Sequence, residues 1–153
     1  MNKLLAAAAA ALLLSAGAVL ADAGHNHAIG RPGDAKKVSR TIEMTMTDEM
    51  RFHPTSIRVK QGETIRFVVR NQGQMKHELV LGTDKDLKEH AALMQKFPEM
   101  EHDDPHAITV EPGKTGELIW QFTRSGDLKF ACLVPGHYEA GMIGTLTVQH
   151  AQK

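Results

Sequence analysis

Cys132-Leu-Val-Pro-Gly-His137-Tyr-Glu-Ala-Gly-Met142 lies between two stretches in which apolar and polar residues alternate. Before it, Leu128, Phe130 and Cys132 share one face. After it, the run from Met142 to Val148 reads as a closing strand. Alternation with a period of two is the mark of a half-buried strand, because successive side chains leave opposite faces of the backbone. The quoted stretch is therefore a loop between two strands. Working outward, the same period recurs in Leu118, Trp120 and Phe122 and in Ile65, Phe67 and Val69. It is seen again in Ile57 and Val59, in Ile42, Met44 and Met46, and in Met75, His77, Leu79 and Leu81. Gln61-Gly62, Glu111-Pro112-Gly113 and Ser125-Gly126 supply turns between them. One segment, Thr83 to Phe97, breaks the rhythm. Leu87, Ala91 and Met94 fall at helical spacing there, Thr83 or Asp84 can cap the start, and Pro98 follows the end. Seven or eight strands with one short inserted helix predict an all-β domain, a β-sandwich or a barrel.

The ends of the chain read differently. Lys3 followed by the Leu- and Ala-rich run Leu4 to Leu14 and then by small residues has the form of a signal peptide, expected to occupy 1–23. The apolar run is short for a membrane span, and no cysteine stands near the cleavage site to carry a lipid anchor. An exported protein without a membrane anchor follows, with the periplasm as the expected compartment. Residues 24–37 are polar, Gly-rich and aperiodic, and are expected to form a flexible, His-containing arm. The domain proper is expected over 38–150. The 18 basic and 18 acidic residues of the full chain balance, which argues against nucleic acid as a partner.

A single cysteine in a chain of 153 residues is unusual for an oxidising compartment, where cysteines are mostly paired or avoided. Cys132 must be buried, paired between molecules, or bound to a metal. Its neighbours favour the metal. His137 and Met142 follow at intervals of five on the same loop, and His77 stands on a strand about fifty residues earlier. Two imidazoles, a thiolate and a weak axial thioether make up the donor set of a copper electron-transfer centre. Thiolate and thioether favour Cu(I), imidazole serves both oxidation states, and a fixed frame spares the site rearrangement when the electron moves. The expected cofactor is one copper ion per chain.

At these residues the chain resembles the cupredoxin family. The matching stretches are Ile57 to Phe67, Lys76-His77-Glu78, and Phe130 to Gly144, and the resemblance extends over roughly Val38 to Gln149. It implies a Greek-key β-sandwich with the metal at one end, and His137 near the surface as the electron port. Many cupredoxins carry Asn directly after the first His ligand, tying the two ligand loops together. Here that residue is Glu78, which puts the hydrogen bonding around the site in question.

Zinc competes for Cys and His donors, but a structural zinc site more often uses several cysteines, and Met is a poor zinc ligand. A dinuclear copper centre needs a second cysteine in the loop. Other donors remain outside the site. Met44 and Met46 share a strand face with Ile42, and Met94 lies on the apolar face of the helix, so core packing is their ordinary reading. Met75 shares a face with His77 and is expected beneath the metal loops. Two clusters are candidates for a second, weaker copper site: His25 and His27 on the arm, and Met100, His102 and His106 in the acidic loop after the helix. A free arm and a solvated acidic turn are the competing readings.

Two tasks suit such a centre. One is copper handling in metal tolerance; the other is single-electron transport for a respiratory partner. The surplus of Met and His and the His-bearing start are similar to the CopI-type periplasmic cupredoxins of bacterial copper-tolerance systems. Copper ions and a redox or copper-delivery protein are the implied partners. No nucleophile, base and orienting group occur together, so no enzyme is expected.

Overall fold

The computed structural model describes residues 29–100 and 103–151. They form ten strands, one helix and a short 3-10 turn at Ala35–Lys37. The strands are β1 Arg31–Pro32, β2 Arg40–Thr47, β3 Arg51–His53, β4 Ser56–Lys60 and β5 Thr64–Asn71. They continue with β6 His77–Gly82, β7 Ala107–Val110, β8 Thr115–Gln121, β9 Gly126–Ala131 and β10 Ile143–Gln149, while α1 spans Asp84–Lys96. One sheet runs β1-β8-β5-β2-β3 and the other β4-β10-β9-β6-β7. β2 pairs with β5, and β4 with β10, in parallel; the remaining pairs are antiparallel. The architecture is the expected Greek-key β-sandwich with one inserted helix.

The alternation places the core. Ile65, Phe67 and Val69 of β5 are wholly buried, as are Met46 of β2 and Trp120 of β8. They meet Ile57 and Val59 of β4, Leu79 and Leu81 of β6, Phe130 of β9 and Leu146 and Val148 of β10 in one cluster between the sheets. The core reading of Met44 and Met46 is thus the observed one. α1 covers the outer face of the second sheet. Thr83 caps it, its hydroxyl accepting from the Asp86 N–H at 3.2 Å. Leu87, Ala91 and Met94 pack there with Val80, Ala131 and Leu133. β6 and β9 are therefore buried on both faces, which fixes the strands next to the Cys132 loop.

Three expectations change. β1 and β3 add two strands to the seven or eight expected; at two and three residues each they are too short to show a period. Of the segment expected to be a flexible arm, residues 29–37 are described, and residues 29–33 are docked. Ile29 is 2% exposed, its carbonyl accepts from the Trp120 indole N–H at 3.2 Å, and β1 pairs with the edge of β8. A buried indole needs an acceptor, and this segment supplies it. Met75 is 40% exposed and precedes β6, which begins only at His77. The expected signal peptide, His25, His27 and His102 lie outside the described residues. Among the described residues no helix is long and apolar enough to cross a membrane.

Candidate metal centre

Sheet order brings the site together. β9 lies between β10 and β6 and is antiparallel to both, with Ala131 facing Ile143 on one side and Val80 on the other. The end of β9, the start of β10 and the start of β6 therefore meet at one end of the sandwich. Cys132 directly follows β9, and Met142 directly precedes β10. His77 opens β6.

The loop from 132 to 142 is held by its own backbone. Met142 accepts from the Cys132 N–H at 3.1 Å and donates to the His137 carbonyl at 3.0 Å, while His137 N–H bonds the Val134 carbonyl at 2.9 Å. Gly136 takes a φ of 88°, a left-handed conformation in which a side chain would be strained, and so closes the turn between Cys132 and His137.

His77, Cys132 and His137 each offer a donor atom, and these lie within 4.8 Å of one another. The two imidazoles face each other through Nδ1, 3.2 Å apart, with Cys132 Sγ 3.3 Å from His137 Nδ1 and 4.0 Å from His77 Nδ1. A point in the plane of that triangle lies about 2.1 Å from all three corners, close to the usual metal–nitrogen and metal–sulfur bond lengths. The donor set thus fits a first-row transition ion in size as well as in chemistry. Met142 is fully buried in the same core cluster as Cys132. Among the described residues this is the one group of three or more His, Cys, Asp or Glu donors so close together. His77 and Cys132 are fully buried, whereas His137 is 8% exposed and marks the rim.

Burial sets the protonation. It pushes the Cys132 thiol up to about 12, against the pull of two backbone N–H groups, those of Glu78 and Val134. Glu78 N–H lies 3.3 Å from Sγ. The bond to sulfur at the position after His77 comes from the main chain and survives the absence of Asn. The Glu78 side chain instead accepts from the Thr109 hydroxyl at 3.2 Å. Burial, and then the neighbouring His77, push the His137 pKa down.

Two contributors escaped the sequence reading. Asp48, in the turn between β2 and β3, accepts from His77 Nε2 at 2.9 Å and from the Gln74 N–H at 2.6 Å. The Gln74 bond leads the causes that hold its carboxyl below the usual carboxylate range. Asn71, buried at the end of β5, donates to the Met75 and Val110 carbonyls and accepts from the Gly73 N–H. No motif marks either one: Asp48 stands 29 positions before its partner, in a turn where Asp is common for local reasons. Of the second donor cluster, only Met100 and His106 belong to the described residues. Met100 is exposed, and the His106 carbonyl accepts from the Leu81 N–H as ordinary backbone.

The comparisons agree with this geometry. The model of the family "Copper binding proteins, plastocyanin/azurin family" matches residues 38–149. The chain is 49% identical over 143 residues to the copper-resistant cuproprotein CopI of Rubrivivax gelatinosus, covering 84% of this chain and 87% of that protein. It is 40% identical over 158 residues to the protein of the same name from Pseudomonas aeruginosa, again covering 84% and 87%. Among solved structures, auracyanin B is similar with a TM-score of 0.66 and 25% identity, over 78% of this chain and 96% of that one. Family and donor cluster together support one copper per chain. From the donor triangle, the sandwich that builds it and the match across residues 38–149, the chain belongs to the plastocyanin/azurin family of copper binding proteins, the cupredoxins.

Proposed function

We propose that His77, Cys132, His137 and Met142 would hold one copper ion, with the Met142 thioether as the weakest donor, and that the protein serves periplasmic copper tolerance. The observation that carries this reading is the buried triangle of two Nδ1 atoms and one Sγ. The relatives named copper-resistant cuproproteins support the tolerance role. Copper, when bound, supplies one-electron redox chemistry. The chain's own groups supply the rest. Cys132 gives up its proton, and the Glu78 and Val134 N–H groups stabilise the resulting negative charge. The backbone bonds across the loop keep the donors in place in both oxidation states, so little rearrangement accompanies electron transfer. Burial of His77 and Cys132 excludes water, while His137 at the rim gives the shortest path to a partner. That rim position also favours the second reading, a soluble electron carrier.

Copper titration of the purified protein, with visible absorbance and bound metal followed together, tests the ligand set. Colour is expected to saturate at one copper per chain. Saturation with no strong visible band would refute a thiolate-bound copper. A strain lacking the protein is expected to become copper-sensitive; unchanged copper tolerance with a respiratory defect would favour the carrier.

A further inference from the structure

The turn between β2 and β3 is built in an unfavourable way. Thr47 pairs with Arg51, so three residues make the hairpin loop, and the third of them, Met50, takes a φ of 58°. Glycine usually occupies that left-handed position, and a residue with a side chain is strained there. Such strain tends to persist where the surrounding structure uses it. What this turn does is aim Asp48 at the metal end of the sandwich. Its carboxylate reaches the Gln74 N–H at 2.6 Å, the Met75 N–H at 3.3 Å and His77 Nε2 at 2.9 Å. The approach also needs Gly73, because a Cβ there would overlap the Asp48 carboxylate.

An ionised carboxylate only accepts hydrogen bonds, so the proton of neutral His77 must sit on Nε2. Nδ1 then presents its lone pair toward His137 and Cys132. We infer that Asp48 is a positioning residue of the metal centre: it holds His77 in the Nε2–H tautomer and stabilises the oxidised copper state by making that imidazole a stronger donor. This rests on the ligand set proposed above. The direction follows from charge. A carboxylate bonded to the far side of a ligand imidazole raises its basicity, and the more highly charged Cu(II) gains more from that than Cu(I).

The test compares reduction potentials of the copper-loaded wild type, Asp48→Asn, Gly73→Ala and Glu49→Gln. It adds imidazole 15N NMR of the metal-free wild type and Asp48→Ala. Asp48→Asn is expected to raise the potential, with the ratio of Cu(II) to Cu(I) affinity falling about tenfold or more. Gly73→Ala, which displaces the carboxylate without removing its charge, is expected to shift the potential in the same direction. Glu49→Gln removes an exposed charge from the same turn and is expected to leave the potential in place. In the metal-free protein, wild-type His77 is expected as the Nε2–H tautomer and Asp48→Ala as a mixture. An unchanged potential in Asp48→Asn, or an equal change in Glu49→Gln, overturns the inference while wild-type copper binding leaves the ligand set standing. An unchanged tautomer in Asp48→Ala overturns the positioning role without reference to copper. Failure of the wild type to take up copper overturns both readings.

Discussion

Replacing Asn71 by Ala removes a side chain that joins three segments at the metal end. Its amide N–H groups donate to the Met75 carbonyl at 2.7 Å and the Val110 carbonyl at 2.9 Å, and its oxygen accepts from the Gly73 N–H at 2.9 Å. Met75 and Gly73 belong to the loop that delivers His77, and Val110 ends β7 in the opposite sheet. Each net hydrogen bond is worth about 1 kcal/mol, and a buried group left without a partner costs about 1–3 kcal/mol. The Gly73 N–H would be stranded, whereas the Val110 carbonyl keeps its place opposite His77 in the β6–β7 ladder, so the total loss is about 3–5 kcal/mol. For a domain of this size that corresponds to a fall of about 12–20 °C in Tm. Urea denaturation of the metal-free protein measures it, with m expected to hold while the midpoint falls. Hydrogen exchange adds a local readout: protection of the amides at 73 to 77 is expected to fall by more than that of α1. Asn71→Asp keeps the acceptor but sets a carboxylate against two carbonyl oxygens, and is expected to be at least as damaging. A loss below about 1 kcal/mol in Asn71→Ala would refute the reasoning, because it would mean that water or a shifted loop satisfies the stranded N–H at little cost.

Other outcomes follow from the same structure. Cys132→Ser is expected to abolish the strong visible charge-transfer band, and Met142→Gln to shift it with copper retained; a serine variant that keeps its colour would rule out Cys132 as the ligand. Leu87→Ala is expected to cost about 2–4 kcal/mol in chemical denaturation. Its visible spectrum should match that of the wild type, because Leu87 belongs to the cluster under α1 rather than the one between the sheets. Copper uptake should release a proton, since the thiol pushed up to about 12 is protonated near neutral pH and the bound form is thiolate. Apparent copper affinity should therefore rise with pH, about tenfold per unit between pH 7 and 9, with His137 already neutral and adding nothing. Calorimetry in buffers of different ionisation enthalpy measures the proton count, and a count of zero would contradict a buried, protonated Cys132.

The class of fold and the donor types of the proposed centre are legible in the residues alone. Period-two alternation in β2, β4, β5, β6, β8, β9 and β10 depends only on which side chains avoid water, and it is written locally. The spacing of Cys132, His137 and Met142 is equally local, because one loop carries all three. His77 was legible as a donor type, although its approach to within 3.2 Å of His137 needed the pairing of β6 with β9. Tertiary structure alone decided the remainder. Ile29 looked like part of a polar arm until the Trp120 indole required an acceptor. Met75 looked like a strand residue until Asn71 and Asp48 bound the backbone of its loop and turned it outward. Asp48 and Asn71 themselves are ordinary polar residues in ordinary places along the chain. Their roles come from distance in space, and a carboxylate or amide leaves no periodic trace of a partner that folding brings to it from a remote segment.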